Sequence, residues 1–274
     1  MNFNELNLSQ ELLRAVDELG YTEMTEIQQQ SIPLLLEGRD VVGRSNTGTG
    51  KTAAFGIPAV ESITEADRRS AAVLILCPTR ELAMQANEEI RKFAKFKEGV
   101  KSSAVYGGAS MEKQIHELKR GANIVIGTPG RVMDHIRRKT LRLENIRTVI
   151  LDEADEMLNM GFREDIETIL ADVPEDRQTV LFSATMPKEI MAITEKFQRD
   201  PVHIKIKSAQ KTVELIEQFY FEVAMGRKMT PSGCCSPHTS PPPQWYSAIP
   251  RQWWISSPTS LSSTASAQPG FTEI

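Results

Sequence analysis

The octapeptide Ser45-Asn46-Thr47-Gly48-Thr49-Gly50-Lys51-Thr52 lies just downstream of the apolar pair Val41-Val42. Glycines at these spacings let backbone N–H groups close around phosphate oxygens. Lys51 then supplies a cation for the β/γ-phosphates, and the Thr52 hydroxyl is a ligand suited to Mg²⁺. Ala53-Ala54-Phe55 can start a helix whose positive end faces the same anion. The strict pattern has glycine where this chain has Ser45, which is small but not free in φ. The bland alternative is a Gly/Thr-rich surface turn, and a second motif weighs against it. In Thr148-Val149-Ile150-Leu151-Asp152-Glu153-Ala154-Asp155 an apolar, β-rich run ends in carboxylates. It reads as a buried parallel strand, with Asp152 placed to hold Mg²⁺ directly or through water and Glu153 to orient or deprotonate an attacking water. Alone, such a cluster is more often an acid-rich helix start. The two motifs together imply a site for a nucleoside triphosphate.

Positioning them requires strands that deliver both motifs to one edge. Apolar runs at 40–42, 71–77, 101–105, 123–126, 148–151, 179–182 and 203–206 alternate with amphipathic stretches such as 80–96 and 110–119. This alternation predicts an α/β fold, a parallel sheet with helices on both faces. The 274 residues suffice for a sizeable core, and the net charge of −4 argues against a generally basic coat for nucleic acid. A polyanion would therefore need a local patch. The chain has no run of eighteen apolar residues and no basic-then-apolar start, which implies a cytoplasmic protein without membrane attachment. Three cysteines provide no disulfide framework, and Cys234-Cys235 lacks the companions of a zinc site.

Four more peptides follow the predicted strands: Pro78-Thr79-Arg80-Glu81-Leu82-Ala83, Gly107-Gly108, Thr128-Pro129-Gly130-Arg131 and Ser183-Ala184-Thr185. Singly, each is an ordinary strand-to-helix turn. As an ordered set with the two motifs above, they make residues 3 to about 229 resemble the DEAD-box ATP-dependent RNA helicases. Asp152-Glu153-Ala154-Asp155 spells that family's name. Upstream, Gly20-Tyr21-Thr22-Glu23-Met24-Thr25-Glu26-Ile27-Gln28, with Phe3 as the isolated aromatic, is similar to the family's adenine-reading Q motif, here spanning 3–28. Met24 stands where the family often has proline.

The resemblance implies a RecA-like P-loop NTPase domain over residues 1–207 that uses ATP and Mg²⁺. It implies that Tyr21 stacks on adenine, that the Gln28 amide pairs with the adenine edge, and that the loop 45–52 holds the phosphates. Lys51, Asp152 and Glu153 would be catalytic, with Thr52 and Asp152 on the metal. Thr79, Arg80, Gly108, Thr128 and Arg131 would touch the RNA sugar-phosphate backbone, and Asp155, Ser183 and Thr185 would couple the two sites. A monomer with RNA as partner is expected. The competing readings are a non-catalytic module that holds adenine nucleotide or RNA, and another P-loop ATPase such as a DNA translocase. The adenine-reading segment and the Asp-Glu-Ala-Asp spelling disfavour the translocase.

Residues 208–229 are similar to the interdomain linker and the start of a second domain. After Met229 the composition breaks: residues 230–274 are rich in Ser and Pro, hold all three Trp, and carry only Arg251 and Glu273 as charges. That composition predicts a disordered tail. The genetic code suggests its origin. Tryptophan has one codon, so Trp253-Trp254-Ile255 fixes most of the DNA beneath it, and starting each codon one base earlier gives Val and Asp. In that frame 244–255 permits Phe-Cys-Asn-Thr-Lys, and 269–274 permits Gly-Leu-His-Gly-Asp, both resembling peptides of the family's second domain. A frameshift, one nucleotide lost near codons 229 and 230, accounts for both.

Overall fold

The computed structural model describes residues 2–206 other than 47 and 69. Seven strands form its sheet: β1 (Val41–Arg44), β2 (Val73–Leu76), β3 (Ser102–Val105), β4 (Ile124–Gly127), β5 (Thr148–Leu151), β6 (Gln178–Ser183) and β7 (Val202–Lys205). Their order is β3-β4-β2-β5-β6-β1-β7, and every neighbouring pair is parallel. Parallel strands covered on both faces need near-continuous apolar sequence, and β2, β4 and β5 are buried throughout.

The two-residue period of each strand divides the core into two layers. Val73 and Ile75 join Ile126, Ile150 and Phe182 under α1 (Gln10–Glu18), α2 (Glu26–Leu36), α3 (Lys51–Glu61) and α4 (Arg80–Phe93). Leu74 and Leu76 join Val125, Val149 and Leu181 on the other face. That face is covered by α5 (Met111–Lys119), α6 (Pro129–Arg137), α7 (Ala154–Asn159), α8 (Arg163–Asp172) and α9 (Lys188–Phe197). The RecA-like arrangement expected from the sequence is present.

Register delivers the functional turns to one edge. Leu76 pairs with both Gly127 and Leu151, Gly127 with Val105, Leu151 with Leu181, and Arg44 with Ser183. The carboxyl ends of six strands therefore line up, and each is followed by one of the peptides singled out above. Element limits differ from the sequence reading by a few residues. The 80–96 stretch ends as a helix at Phe93, and the strand expected over 71–77 is paired only from Val73 to Leu76. Backbone hydrogen bonds from Ala72 and Cys77 nonetheless extend its ladder. No helix among the described residues is long and apolar enough to cross a membrane. The linker over 208–229, the tail over 230–274 and the frameshift reading lie outside the described residues.

Candidate functional site

The loop after β1 closes on itself and on its neighbours. Gly48 and Gly50 have φ of +77° and +91°, a region costly for residues with a Cβ. At Gly50 a Cβ would also sit 2.5 Å from the Gln28 amide nitrogen. Ser45 has no such requirement, since its φ is not positive. The hydroxyl is useful instead: it accepts from Thr49 Oγ1 (3.1 Å), which also reaches the Asn46 carbonyl (3.0 Å). The Ser45 N–H donates to the Ser183 carbonyl at 3.1 Å, tying the loop to the end of β6. Gly50 caps α3, so Lys51 and Thr52 occupy its first turn. Thr47 lies outside the described residues.

Lys51 and Asp152 are the electrostatic centre. Both are buried, and Lys51 Nζ and Asp152 Oδ1 have no hydrogen-bond partner. They feel each other's charge, yet among the described residues no direct ion pair joins them. Burial pushes the Asp152 carboxyl up to about 6, Lys51 opposes that rise, and Glu153 and Asp155 add to it. Leaving even a neutral buried polar group unpaired costs about 1–3 kcal/mol, and a charged one costs more. A phosphate oxygen for the ammonium and a hard cation for the carboxylate would satisfy both. Thus the donor set fits the expected nucleotide and Mg²⁺.

Next to them, Glu153 adopts a left-handed conformation (φ 52°, ψ 51°) as the residue preceding α7. Such a conformation at a residue with a long side chain costs on the order of 1–3 kcal/mol, and such residues cluster at functional sites. Sequence reasoning gave no hint of it. Asp155 is held firmly: the Thr185 N–H and hydroxyl both donate to its Oδ2, at 2.9 and 2.7 Å. Burial alone would raise the Asp155 carboxyl, but the bonds from Thr185 and the adjacent Ser183 hydroxyl outweigh it and keep it below the ordinary range. The Ser183 hydroxyl itself donates to the Thr185 carbonyl at 2.7 Å. The three residues expected to couple the sites are therefore in one cluster.

The two residues expected to read the base are placed differently. Gln28 is buried against the loop: its Oε1 accepts from the Thr25 N–H (2.9 Å) and its Nε2 donates to the Gly50 carbonyl (3.1 Å). Each end of the amide keeps one further hydrogen-bonding position. Tyr21 packs between Phe3 and Phe93, with ring centroids 6.3 and 6.2 Å away. Its ring contacts belong to the α1–α4 layer rather than to the loop.

The residues expected to face RNA gather after β2, β3 and β4, which are adjacent in the sheet. The Thr79 hydroxyl accepts from the Leu82 N–H at 3.3 Å and keeps its own hydrogen to donate. Thr128 precedes α6 without spending its hydroxyl on a cap. Arg80 lies beside Gly108, its guanidinium carbon 5.9 Å from the Tyr106 ring centroid and its side chain 55% exposed. Arg131 is unlike it, with only 13% of its side chain exposed. Its Nη1 donates to the Ala109 carbonyl and to Gln114 Oε1, both at 3.1 Å, and its Nε lies 3.8 Å from Asp134. The structure thus gives Arg131 an internal bracing role alongside any phosphate contact. Gln114 and His135 escaped the sequence reading. The available signal was a polar residue at the inward position of α5, where Gln114 is the one residue buried.

The profile of the DEAD/DEAH box helicase family matches residues 25–193. Among curated proteins, the chain is 56% identical over 223 residues to a DEAD-box ATP-dependent RNA helicase CshA of Streptococcus pneumoniae, covering 81% of this chain and 42% of that one. To CshA of Bacillus subtilis it is 51% identical over 228 residues, covering 83% and 46%. The chain thus spans less than half the length of these relatives. Among solved structures, a DEAD box protein from Methanococcus jannaschii superposes with a TM-score of 0.73 at 46% identity, over 84% of this chain and 61% of that one. An ATP-dependent RNA helicase from Sulfolobus tokodaii, described as hypothetical, gives 0.67 at 38%, over 73% and 57%.

Proposed function

The chain belongs to the DEAD/DEAH box helicase family, and from that premise we propose that it carries the ATP-binding half of an ATP-dependent RNA helicase. The observation that carries this reading is the buried, unpartnered pair Lys51 Nζ and Asp152 Oδ1 at the aligned carboxyl ends of the strands. In the proposed site, loop residues 45–52 wrap the phosphates, Lys51 faces the β/γ-phosphates, and Thr52 and Asp152 hold Mg²⁺. The bound cation supplies neutralisation of phosphate charge. Glu153 orients the attacking water. Gln28 reads the adenine edge with its remaining hydrogen-bonding positions, and the Tyr21 ring, braced by Phe3 and Phe93, stacks on the base.

Asp155 and Thr185 join the end of β5 to the end of β6 and would carry a change at the nucleotide to the neighbouring turns. Thr79, Arg80, Gly108 and Thr128 bind RNA through its backbone, without reading sequence. Arg131 contributes mainly by bracing. Hydrolysis at a useful rate needs positive charge from a facing domain, and such a cleft-closing arginine is worth about 10³–10⁵ in rate. The curated matches align over 223 and 228 residues, 81% and 83% of the chain, and the composition break after Met229 supports reading the chain beyond it as frame-shifted.

The test compares strand separation of a short RNA duplex by this chain and by the same gene with one nucleotide restored near codon 229. The restored chain should unwind with ATP and the present chain should not. A well-folded but inactive restored chain would overturn the helicase reading. RNA-stimulated ATP turnover by the present chain would exclude the second reading, a non-catalytic binding module.

A further inference from the structure

Gln114, in α5, joins two turns that belong to different strand-to-helix junctions. Its Nε2 donates to the Tyr106 carbonyl at 3.0 Å, at the head of the Gly107-Gly108 turn. Its Oε1 accepts from Arg131 Nη1 at 3.1 Å and lies 3.1 Å from Nε2 of His135, both in α6. Arg131 Nη1 also donates to the Ala109 carbonyl (3.1 Å), at the tail of the same turn. The turn is therefore gripped at both ends from one buried cluster.

The proton arrangement follows from donor and acceptor chemistry. A guanidinium offers only donors, so the Gln114 amide must turn its oxygen to Arg131, which leaves its nitrogen for the Tyr106 carbonyl. The same oxygen requires Nε2 of His135 to carry the hydrogen. Nδ1 of His135 is left facing the Thr140 hydroxyl at 2.8 Å. One amide thus fixes the orientation of Arg131 and the tautomer of His135 together. An apolar residue of the same size would leave the Tyr106 carbonyl and His135 Nε2 unmet and take one acceptor from Arg131.

We propose that Gln114 is a positioning residue for RNA binding, holding the Gly107-Gly108 turn and the α6 start in one fixed arrangement before RNA arrives. The proposal rests on reading those two turns as RNA-backbone contacts. Its physical basis is entropy. Gly107 and Gly108 are both exposed, and Gly108 has φ of +80°, so little within the turn itself holds it in shape. Ordering such a segment during binding subtracts from affinity, and bracing it in advance removes that cost.

The experiment measures binding of single-stranded oligouridylate and of ADP with Mg²⁺ to the full chain, for wild type, Gln114→Ala, Gln114→Glu and Arg80→Ala. Gln114→Ala should weaken RNA binding about tenfold and leave ADP binding unchanged. Gln114→Glu keeps the acceptor for Arg131 and His135 but loses the donor to Tyr106, so its RNA affinity should fall between wild type and Gln114→Ala. The ¹⁵N spectrum of His135 should retain the Nε2–H tautomer in Gln114→Glu and lose that preference in Gln114→Ala. Wild-type RNA affinity in Gln114→Ala, while Arg80→Ala binds weakly, would overturn the proposal. Parallel loss of RNA and ADP binding in both Gln114 variants would overturn it too, by showing a general folding role. If Arg80→Ala and Gln114→Ala both bind RNA normally, the underlying RNA reading fails and the proposal fails with it.

Discussion

The two halves of the sheet's carboxyl edge solve opposite problems. Around β5, β6 and β1, the charged groups Lys51 and Asp152 are buried with open hydrogen-bonding capacity. At the carboxyl ends of β3, β4 and β2, Gln114, Arg131 and His135 satisfy one another, while Arg80 stays in water. The first half pays for unmet charge and recovers the cost when a ligand brings complementary charge. The second gains little from any one contact but holds several backbone-facing groups in place. A ligand that must be released after chemistry suits the first arrangement, and a long polyanion gripped at many weak points suits the second.

The contrast breaks most visibly at Glu153. In the frame-restored chain, Glu153→Gln should lower the ATP turnover rate by about 10²–10⁴, the usual worth of a positioned base, with nucleotide affinity retained. Steady-state turnover alongside ADP titration checks this, and an unchanged rate would remove Glu153 from the chemistry. Lys51→Ala comes next: losing a charged partner in a buried site should weaken ADP–Mg²⁺ binding roughly 100-fold, whereas Arg80→Ala should leave it untouched. Calorimetric titration of both variants decides whether the halves are separable.

The two arginines sharpen the comparison at smaller scale. Arg131→Ala strands the Ala109 carbonyl and leaves the Gln114 oxygen with His135 as its one remaining donor, and should cost about 1–3 kcal/mol of stability by urea unfolding. Arg80→Ala should stay within about 0.5 kcal/mol of wild type in stability and reduce the salt dependence of RNA binding by about one counterion. Equal stability losses would erase the distinction drawn between them.

The smallest effect concerns pH. Burial, reinforced by Arg131, holds His135 below its ordinary value of 6.5. The folded state therefore binds fewer protons than the unfolded one. Stability from this group is complete above the unfolded value and drains away as pH falls through the folded one. Thermal midpoints should drop between pH 7.5 and pH 5.5 by more in wild type than in His135→Gln, to an extent of roughly a degree or more.

What was readable in advance follows a physical line. Strands such as Thr148–Leu151 announce themselves because burial on both faces demands unbroken apolar sequence, and the turn after Val41–Arg44 because glycine spacing reflects positive φ. The Asp155–Thr185 contact was legible through the family resemblance, since thirty residues of intervening chain hide it from local pattern. The internal contacts of Arg131 were not readable, because an arginine after a turn looks the same in sequence whether its guanidinium meets solvent or a carbonyl. Gln114 was invisible for a related reason: its importance lies in three partners from separate segments, and no spacing rule encodes them. Glu153 showed its carboxylate but not its backbone, since composition carries no record of φ.

That backbone has a bearing on how this protein would respond to selection. Glycine or asparagine at position 153 would sit comfortably where glutamate does not, so a library screened only for survival at high temperature should enrich those residues there. Under the role proposed for Glu153, the winners would be sturdier and catalytically silent. Heat tolerance and turnover thus compete at a single codon, and an engineer seeking both must find the extra stability elsewhere.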